Sequence, residues 1–579
     1  MGTSRVAQVE RELLLELAEG KKTFEQVGAD ARKACRVARA GAGPIALTGS
    51  NPARCITSRL KELTSISTDS LNYFEVRCSP SAADPALGGT KMRLPFILLS
   101  THIEQLLSKD GSYFEVEMQE QPADVAASDF VHSREYVNHA LVQACWPLGE
   151  TVVPTGLYSD GVSVGCDPHK DSLYVIYLYF LHRPPHEAGR PESKFVFTIY
   201  RKSEATKETM NDIWRILLWE LQALQHGRKP LLGQEALALE DQQAGEYLGD
   251  RWGRWHRVAL FQIKGDWAWY CESMAVWQWN SAAHMCPFCS AHGRGALTWR
   301  DFSLDAPWRS TCRTHTKFLE DMRASKSQRF RRGLSAFKGE SLLTLAPFFA
   351  WTMLKLDWMH AADLGVLVYV LGSVWWSLLP ALASPRGRPT TAVRETGLSA
   401  LKDRLKTYYR DRKVSNKLPL KRLTLGKVKA KCGPKLKAKA AQAKDLLRFT
   451  VELAEEFKDD GSPICAQRCQ MMSELASMYA LAQKHSATAD ELMAWRAHAA
   501  SFAYFYAACG FKMYPKMHYL MHIPEQVEQG GVLRSFWCYS EESKNRQLKR
   551  LFGVCSKGHS LHQQILLRLQ WWHALLELD

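Results

Sequence analysis

The sequence predicts a mixed α/β protein whose sheet-forming part is split by a large, mainly helical insertion. Three observations carry that expectation. Between residues 155 and 277, three strand-like apolar runs are followed by a helix, a fourth strand and a second helix. From residue 286 to about 509, helical patterns dominate. A length of 579 residues exceeds what a single hydrophobic core serves.

Residues 1–40 read as helical, with Val9, Leu13, Leu14 and Leu17 on one face and a basic patch at Arg32, Lys33, Arg36 and Arg39. A Gly/Ala/Pro/Ser-rich break follows at 41–52, then short helices and strands without a motif to residue 150. Residues 1–150 therefore form an N-terminal α+β region, a candidate for DNA contact. The first informative strand, at 156–164, reads GLYSDGVSV; the second and third lie at 172–181 and 194–200. The helix at 207–225 carries Ile213, Ile216, Leu217, Leu221 and Leu224 as one stripe. A fourth strand, RVALFQIKGD, ends at Asp266, and WAWYCESMAVW continues as a helix. This element order is that of an RNase H-like core, and other α/β folds share it. Two last helices are expected at 540–552 and 561–576. The resulting division is 1–150, then 151–285 and 511–579 as two parts of one core, with 286–510 as the insertion.

A hydrophobic content of 46% and a charged content of 23% are those of a globular chain. Residues 402–444 hold sixteen Lys and Arg against two Asp, which is nearly all of the net charge of +15. Such a segment binds polyanions or directs nuclear import, and a solvated linker is the alternative. The opening MGTSR lacks an apolar core with a cleavage site, so the fifteen cysteines are expected as reduced thiols. Residues 364–383 carry no charge and are long enough to span a bilayer. Asp357, His360 and Asp363 stand just before or at the start of that run and Pro380 interrupts it, so a buried helix is expected and no membrane partner.

Asp160 lies in the first strand of the pattern and Asp266 ends the fourth. In an RNase H-like sheet these strands are neighbours, so the carboxylates converge, and two close carboxylates repel unless cations such as Mg²⁺ (or Mn²⁺) separate them. The third acid is expected at Glu542 in WCYSEESKNRQLKRL, because it shares a helical face with Arg546, Lys549 and Arg550; Glu541 is the alternative. A solvated helix with ordinary i,i+4 pairs is the plain reading of the same residues. Cys286 and Cys289, followed by Cys312 and His315, have the spacing of a closed structural Zn²⁺ site, with Cys271, His284 and His292 as competing ligands. Asp357 and His360 share one helical face; a hydrogen-bonded pair at a helix start accounts for them. His518 and His522 have the spacing of a metal clip and also of structural histidines.

Taken in order, GLYSDGV with KDSLYVIYLYFL, GDWAWYC, CPFC, LKLDWMHAADLGV, PKMHYLMHIPEQV and GGVLRSFWCYSEESKNRQLKRL resemble the transposases of cut-and-paste DNA elements, specifically the CACTA and Plavaka/KDZ-like group. The resemblance covers roughly residues 150–555. It implies a DDE-type centre with Asp160, Asp266 and Glu542 as Mg²⁺ ligands, a DxxH element at Asp357 and His360, and DNA cleavage and strand transfer in the nucleus by a homo-oligomer. Lys421, Arg422, Lys427, Lys429 and Lys431, with Arg546, Lys549 and Arg550, are the expected DNA contacts. A decayed relative that binds DNA without cutting is the alternative. The flanking residues Glu541 and Ser543 depart from the family, which has an aromatic before the final Glu and Arg after it.

Overall fold

The computed structural model describes residues 2–37, 47–48, 50–66, 68–115, 125–126, 130–164, 172–183, 193–249, 255–278, 285–325, 336–383, 389–431, 433–460, 462–484, 486–555 and 561–576. Arg39, His284 and most of 41–52 lie outside them.

Six strands form one mixed sheet: β1 (Asn72–Arg77), β2 (Lys91–Phe96), β3 (Thr151–Ser163), β4 (Ser172–Phe180), β5 (Lys194–Arg201) and β6 (His256–Gly265). Their hydrogen-bonded order is β1-β2-β5-β4-β3-β6. Only the β3–β6 pair is parallel. The four strands expected from the apolar runs thus sit side by side. β1 and β2 extend the same sheet, so hydrogen bonding crosses the boundary drawn at residue 150.

β4 is buried at every position, which is why SLYVIYLYF reads as a continuous hydrophobic run. Its side chains alternate between two cores, as the pleat requires. Ile176 and Leu178 pack with Ile213, Trp214 and Leu217 of helix α1 (Lys207–Gln225). Val175, Tyr177 and Tyr179 belong to the opposite core with Leu548 and Leu551, Ile565 and Leu566, and Leu13, Leu14 and Leu17 of the helix Gly2–Ala18. The first and last parts of the chain therefore close one face of the sheet together.

The insertion departs from expectation in two ways. Residues 286–358 are mostly turns, with one α-helix among the described residues, His315–Ala324. The basic segment is folded rather than a solvated linker: Leu423, Val428 and Leu436 are buried and moor it to the helical core. Helices then follow at α2 (Val368–Leu382), α3 (Thr391–Asp411), α4 (Ala440–Glu456), α5 (Pro463–Ala482) and α6 (Ala489–Ala508). The stretch Met359–Leu382 is long and apolar enough to cross a membrane. Here it is a core helix, with Val370, Leu371, Val374 and Trp375 fully enclosed and Trp375 Nε1 donating to Thr450 Oγ1 at 2.9 Å. Its first part, Met359–Leu367, is wound as a π-helix.

Candidate functional site

The parallel pairing of β3 and β6 runs to Ser159 opposite Gly265, so Asp160 and Asp266 emerge next to each other. Gly265 is required there: a Cβ would lie 2.5 Å from the Trp269 ring and 2.9 Å from the Ser159 carbonyl oxygen. Asp266 caps the helix Trp267–Ser273, its Oδ1 accepting from the Trp269 N–H at 2.6 Å. Asp160 Oδ2 accepts from Tyr158 OH at 3.1 Å and from Asn545 Nδ2 at 3.3 Å, and Tyr177 OH holds Asn545 Oδ1 at 3.1 Å. Asn545 belongs to α7 (Tyr539–Val554), one turn beyond Glu542.

Glu542 is part-exposed, and its Oε1 lies 4.0 Å from His360 Nε2. Glu541, its neighbour, is fully buried against Lys194 and Lys264 and points away into the protein. Of the two acids, Glu542 is the one that faces His360. His360 Nδ1 lies 2.5 Å from Asp357 Oδ2, and Asp357 Oδ1 accepts from the Cys538 N–H at 2.8 Å, so the pair ties the π-helix to the segment that leads into α7. Burial and the charges of Asp266 and Glu542 push Asp160 up to about 8, with His360 pulling the other way. Burial works against charge on His360, yet its bond to Asp357 and the fields of Asp160 and Asp266 raise it to about 9. Carboxylates from β3, β6 and α7 thus share one electrostatic environment with one imidazolium.

No protein-family model and no curated protein matches this chain.

The oxygen donors suit a hard divalent cation: the crowding that favours protonation of Asp160 is what a bound cation relieves. Asp160, Asp266 and Glu542 do not form a closed shell. Among the described residues, Cys286, Cys289, His518 and His522 are the group whose donor atoms all lie within 4.8 Å of one another.

That second group corrects the expected zinc ligands. Cys312 and His315 are exposed, and between them Arg313 turns inward, its guanidinium donating to the carbonyls of Cys286 and Cys289. The arginine buttresses the CxxC turn, and the side chains that could complete a metal site with it are His518 and His522. Cys286 Sγ lies 3.5 Å from His522 Nε2, Cys289 Sγ 3.3 Å from His518 Nε2, and the two Nε2 atoms are 3.2 Å apart. A tetrahedral zinc with usual bond lengths has edges of roughly 3.3–3.8 Å, so the four side chains are spaced to hold one ion. His522 Nδ1 lies 3.1 Å from Glu525 Oε2, the outer carboxylate that orients a ligating imidazole. All four ligands are buried and leave no open position, so this metal would be structural. Cys271 and His292 are not part of the group.

The expected DNA contacts Arg546, Lys549 and Arg550 are exposed on α7, as are Lys421, Arg422, Lys427, Lys429 and Lys431 on the basic segment.

Proposed function

We propose that the chain is a transposase-like enzyme that cleaves DNA and transfers the freed strand through a DDE-type centre of Asp160, Asp266 and Glu542, built on an RNase H-like core. The observation that carries this assignment is that Asp160 on β3 feels the charges of Asp266, at the end of β6, and of Glu542 on α7, which the whole insertion separates from both strands in the chain. Three antiparallel strands followed by a fourth parallel to the first support the RNase H-like comparison. The basic segment supports DNA as partner and a nuclear setting.

Asp160 and Asp266 would hold two Mg²⁺ (or Mn²⁺) ions between them, with Glu542 completing the set. Such ions activate water for attack on a phosphate and stabilise the leaving oxygen; the freed 3′ hydroxyl then serves as the second nucleophile. Tyr158 and Asn545 orient Asp160 through its Oδ2, leaving Oδ1 in contact with its own Gly161 N–H at 2.6 Å. Asp357 keeps the His360 ring turned so that Nε2 presents a proton toward Glu542. Asp266, as a helix cap, is fixed by backbone rather than by a mobile side chain.

The test is cleavage of duplex DNA by the purified chain in Mg²⁺ and in Mn²⁺. Asp160→Ala and Glu542→Gln should each abolish cleavage while DNA affinity stays near wild type. Retained cleavage by Asp160→Ala overturns the assignment. Binding without cleavage by the wild-type chain in either metal identifies the catalytically silent alternative.

A further inference from the structure

The basic segment and the carboxylate centre are joined by a feature that neither accounts for. Lys435 and Leu436 cross α2 at Gly372, where a Cβ would lie 2.6 Å from the Lys435 amide nitrogen, and the Leu436 N–H donates to the Val368 carbonyl at 2.8 Å. Docked there, the segment sets its cations against aromatic rings. Lys435 Nζ lies 4.8 Å from the centre of the Tyr369 ring, and Tyr369 stacks on Tyr514 at 3.9 Å. Lys512 Nζ lies 5.6 Å from the Tyr514 ring. Seven residues along α2 from Tyr369, on the same helical face, Trp376 receives Lys429 Nζ at 4.6 Å and the Arg394 guanidinium at 4.2 Å.

The active-site end of this row is Lys516. Its Nζ donates to the His360 carbonyl at 3.2 Å, and it feels the charges of Asp266 and Asp357 on one side and of Lys435 on the other. Among the described residues no carboxylate pairs with Lys429, Lys435 or Lys512. Elsewhere on the surface, by contrast, Lys317, Lys458 and Lys484 are matched to Asp321, Glu455 and Glu491. Rings that hold ammonium heads in place lower the entropy lost in gripping an anion, while the charge itself remains unneutralised.

We infer that Lys516, Lys435, Lys512, Lys429 and Arg394 form a phosphate track that carries one strand of DNA away from the carboxylate centre along α2. The inference rests on the proposed reading of that centre and adds the path its substrate takes. Tyr369 and Trp376 are about 10 Å apart along the helix, enough for about three phosphates of one strand at ~3.4 Å axial spacing. Contacts of this kind grip the backbone and carry no sequence information.

The test compares two triple variants of the full chain by fluorescence anisotropy with a mixed-sequence DNA duplex over a salt series. Lys429→Ala/Lys435→Ala/Lys512→Ala removes the track cations. Lys317→Ala/Lys458→Ala/Lys484→Ala removes the same charge from paired sites. The track variant should bind at least ~10-fold more weakly and lower the slope of log affinity against log salt by about 3, with the control close to wild type. Equal losses in both variants, or no loss in the track variant, overturn the inference, as does equal affinity of the wild type for polyglutamate. A second measurement uses the unmodified chain: DNA should protect Lys429, Lys435 and Lys512 from acetylation, and unchanged reactivity overturns the track. Failure of the catalytic assignment reads differently, as intact binding and protection without cleavage by the wild type.

Discussion

Lys264 Nζ lies 2.7 Å from Glu541 Oε1 in a fully buried ion pair, and Lys194 reaches the same oxygen at 3.3 Å. Both ammonium groups also face the Tyr179 ring, at 4.4 and 4.2 Å. Burial opposes the charge on Glu541, but the two cations outweigh it and hold the acid at about 2. Burial and Lys264 depress Lys194 to about 8 against the pull of Glu541, so one carboxylate serves two cations incompletely. This anchor fixes the rotation of α7 on the sheet, and Glu542 is thereby left facing His360.

Removing the shared acid should therefore be far worse than removing one cation. Glu541→Ala leaves two buried ammonium groups unpaired and should cost about 3–5 kcal/mol in urea unfolding. Lys194→Met leaves a balanced pair and should cost markedly less. Glu542→Ala, at a part-exposed position, should leave stability near wild type while removing cleavage. Equal destabilisation by Glu541→Ala and Glu542→Ala would remove the distinction between anchor and ligand.

The carboxylate centre should weaken the fold as pH rises in the absence of divalent ions. Asp160 sits at about 8 in the folded chain against about 3.9 in an unfolded one, so the folded state binds the proton more tightly. Stability from this group is full below about pH 4 and is lost as pH rises toward 8. Asp160→Asn should then melt above wild type at pH 8 in EDTA and with it at pH 4. Added Mg²⁺ should raise the melting temperature of wild type and leave that of the variant nearly unchanged. A variant that melts below wild type at pH 8 in EDTA would contradict the crowding.

The strands around Asp160 and Asp266 were legible because their apolar runs are nearly uninterrupted and both acids stand at the ends of those runs, where the pleat must meet solvent. β1 and β2 were not, since NYFEVR and KMRLPF alternate like any edge strand and nothing local names their neighbour. The basic segment carried its own sign of order in Leu423, Val428 and Leu436, apolar anchors spaced among the lysines. The metal group was half legible. Proximity in sequence favoured Cys312 and His315, whereas the fold brings His518 and His522 back across the insertion, and their i,i+4 spacing was the signal that could have found them. Glu541 and Glu542 differ by burial alone, which depends on lysines from β5 and β6.

Metal content separates the two ligand sets directly. Wild type should carry one zinc per chain by elemental analysis, and Cys286→Ser or His522→Ala should lose it. Cys312→Ser and His315→Ala should keep it. Because Cys286 and Cys289 open the insertion and His518 and His522 lie just after its end, chelation should loosen that junction and lower the unfolding midpoint. Zinc loss in Cys312→Ser with retention in His522→Ala would reverse the correction.

Asp363 provides the last coupling between the insertion and Glu542. It is fully buried in the π-helix, where Tyr479 OH donates to Oδ1 at 2.6 Å and Tyr539 OH to Oδ2. Tyr539 is the first residue of α7, so this carboxylate ties α5 to the helix that carries Glu542. Burial raises Asp363 to about 6 even with both phenols donating. Tyr479→Phe removes one donor from a buried anion and should cost about 1–3 kcal/mol. A folded-state value above the unfolded one means the ionised form is the strained one, so the cost should be larger at pH 8, where Asp363 is charged, than near pH 3, where it is mostly protonated in both states. Urea unfolding of wild type and Tyr479→Phe at the two pH values checks the sign. A penalty that is the same at both, or larger in acid, would show that the phenol packs against the π-helix without supporting the charge.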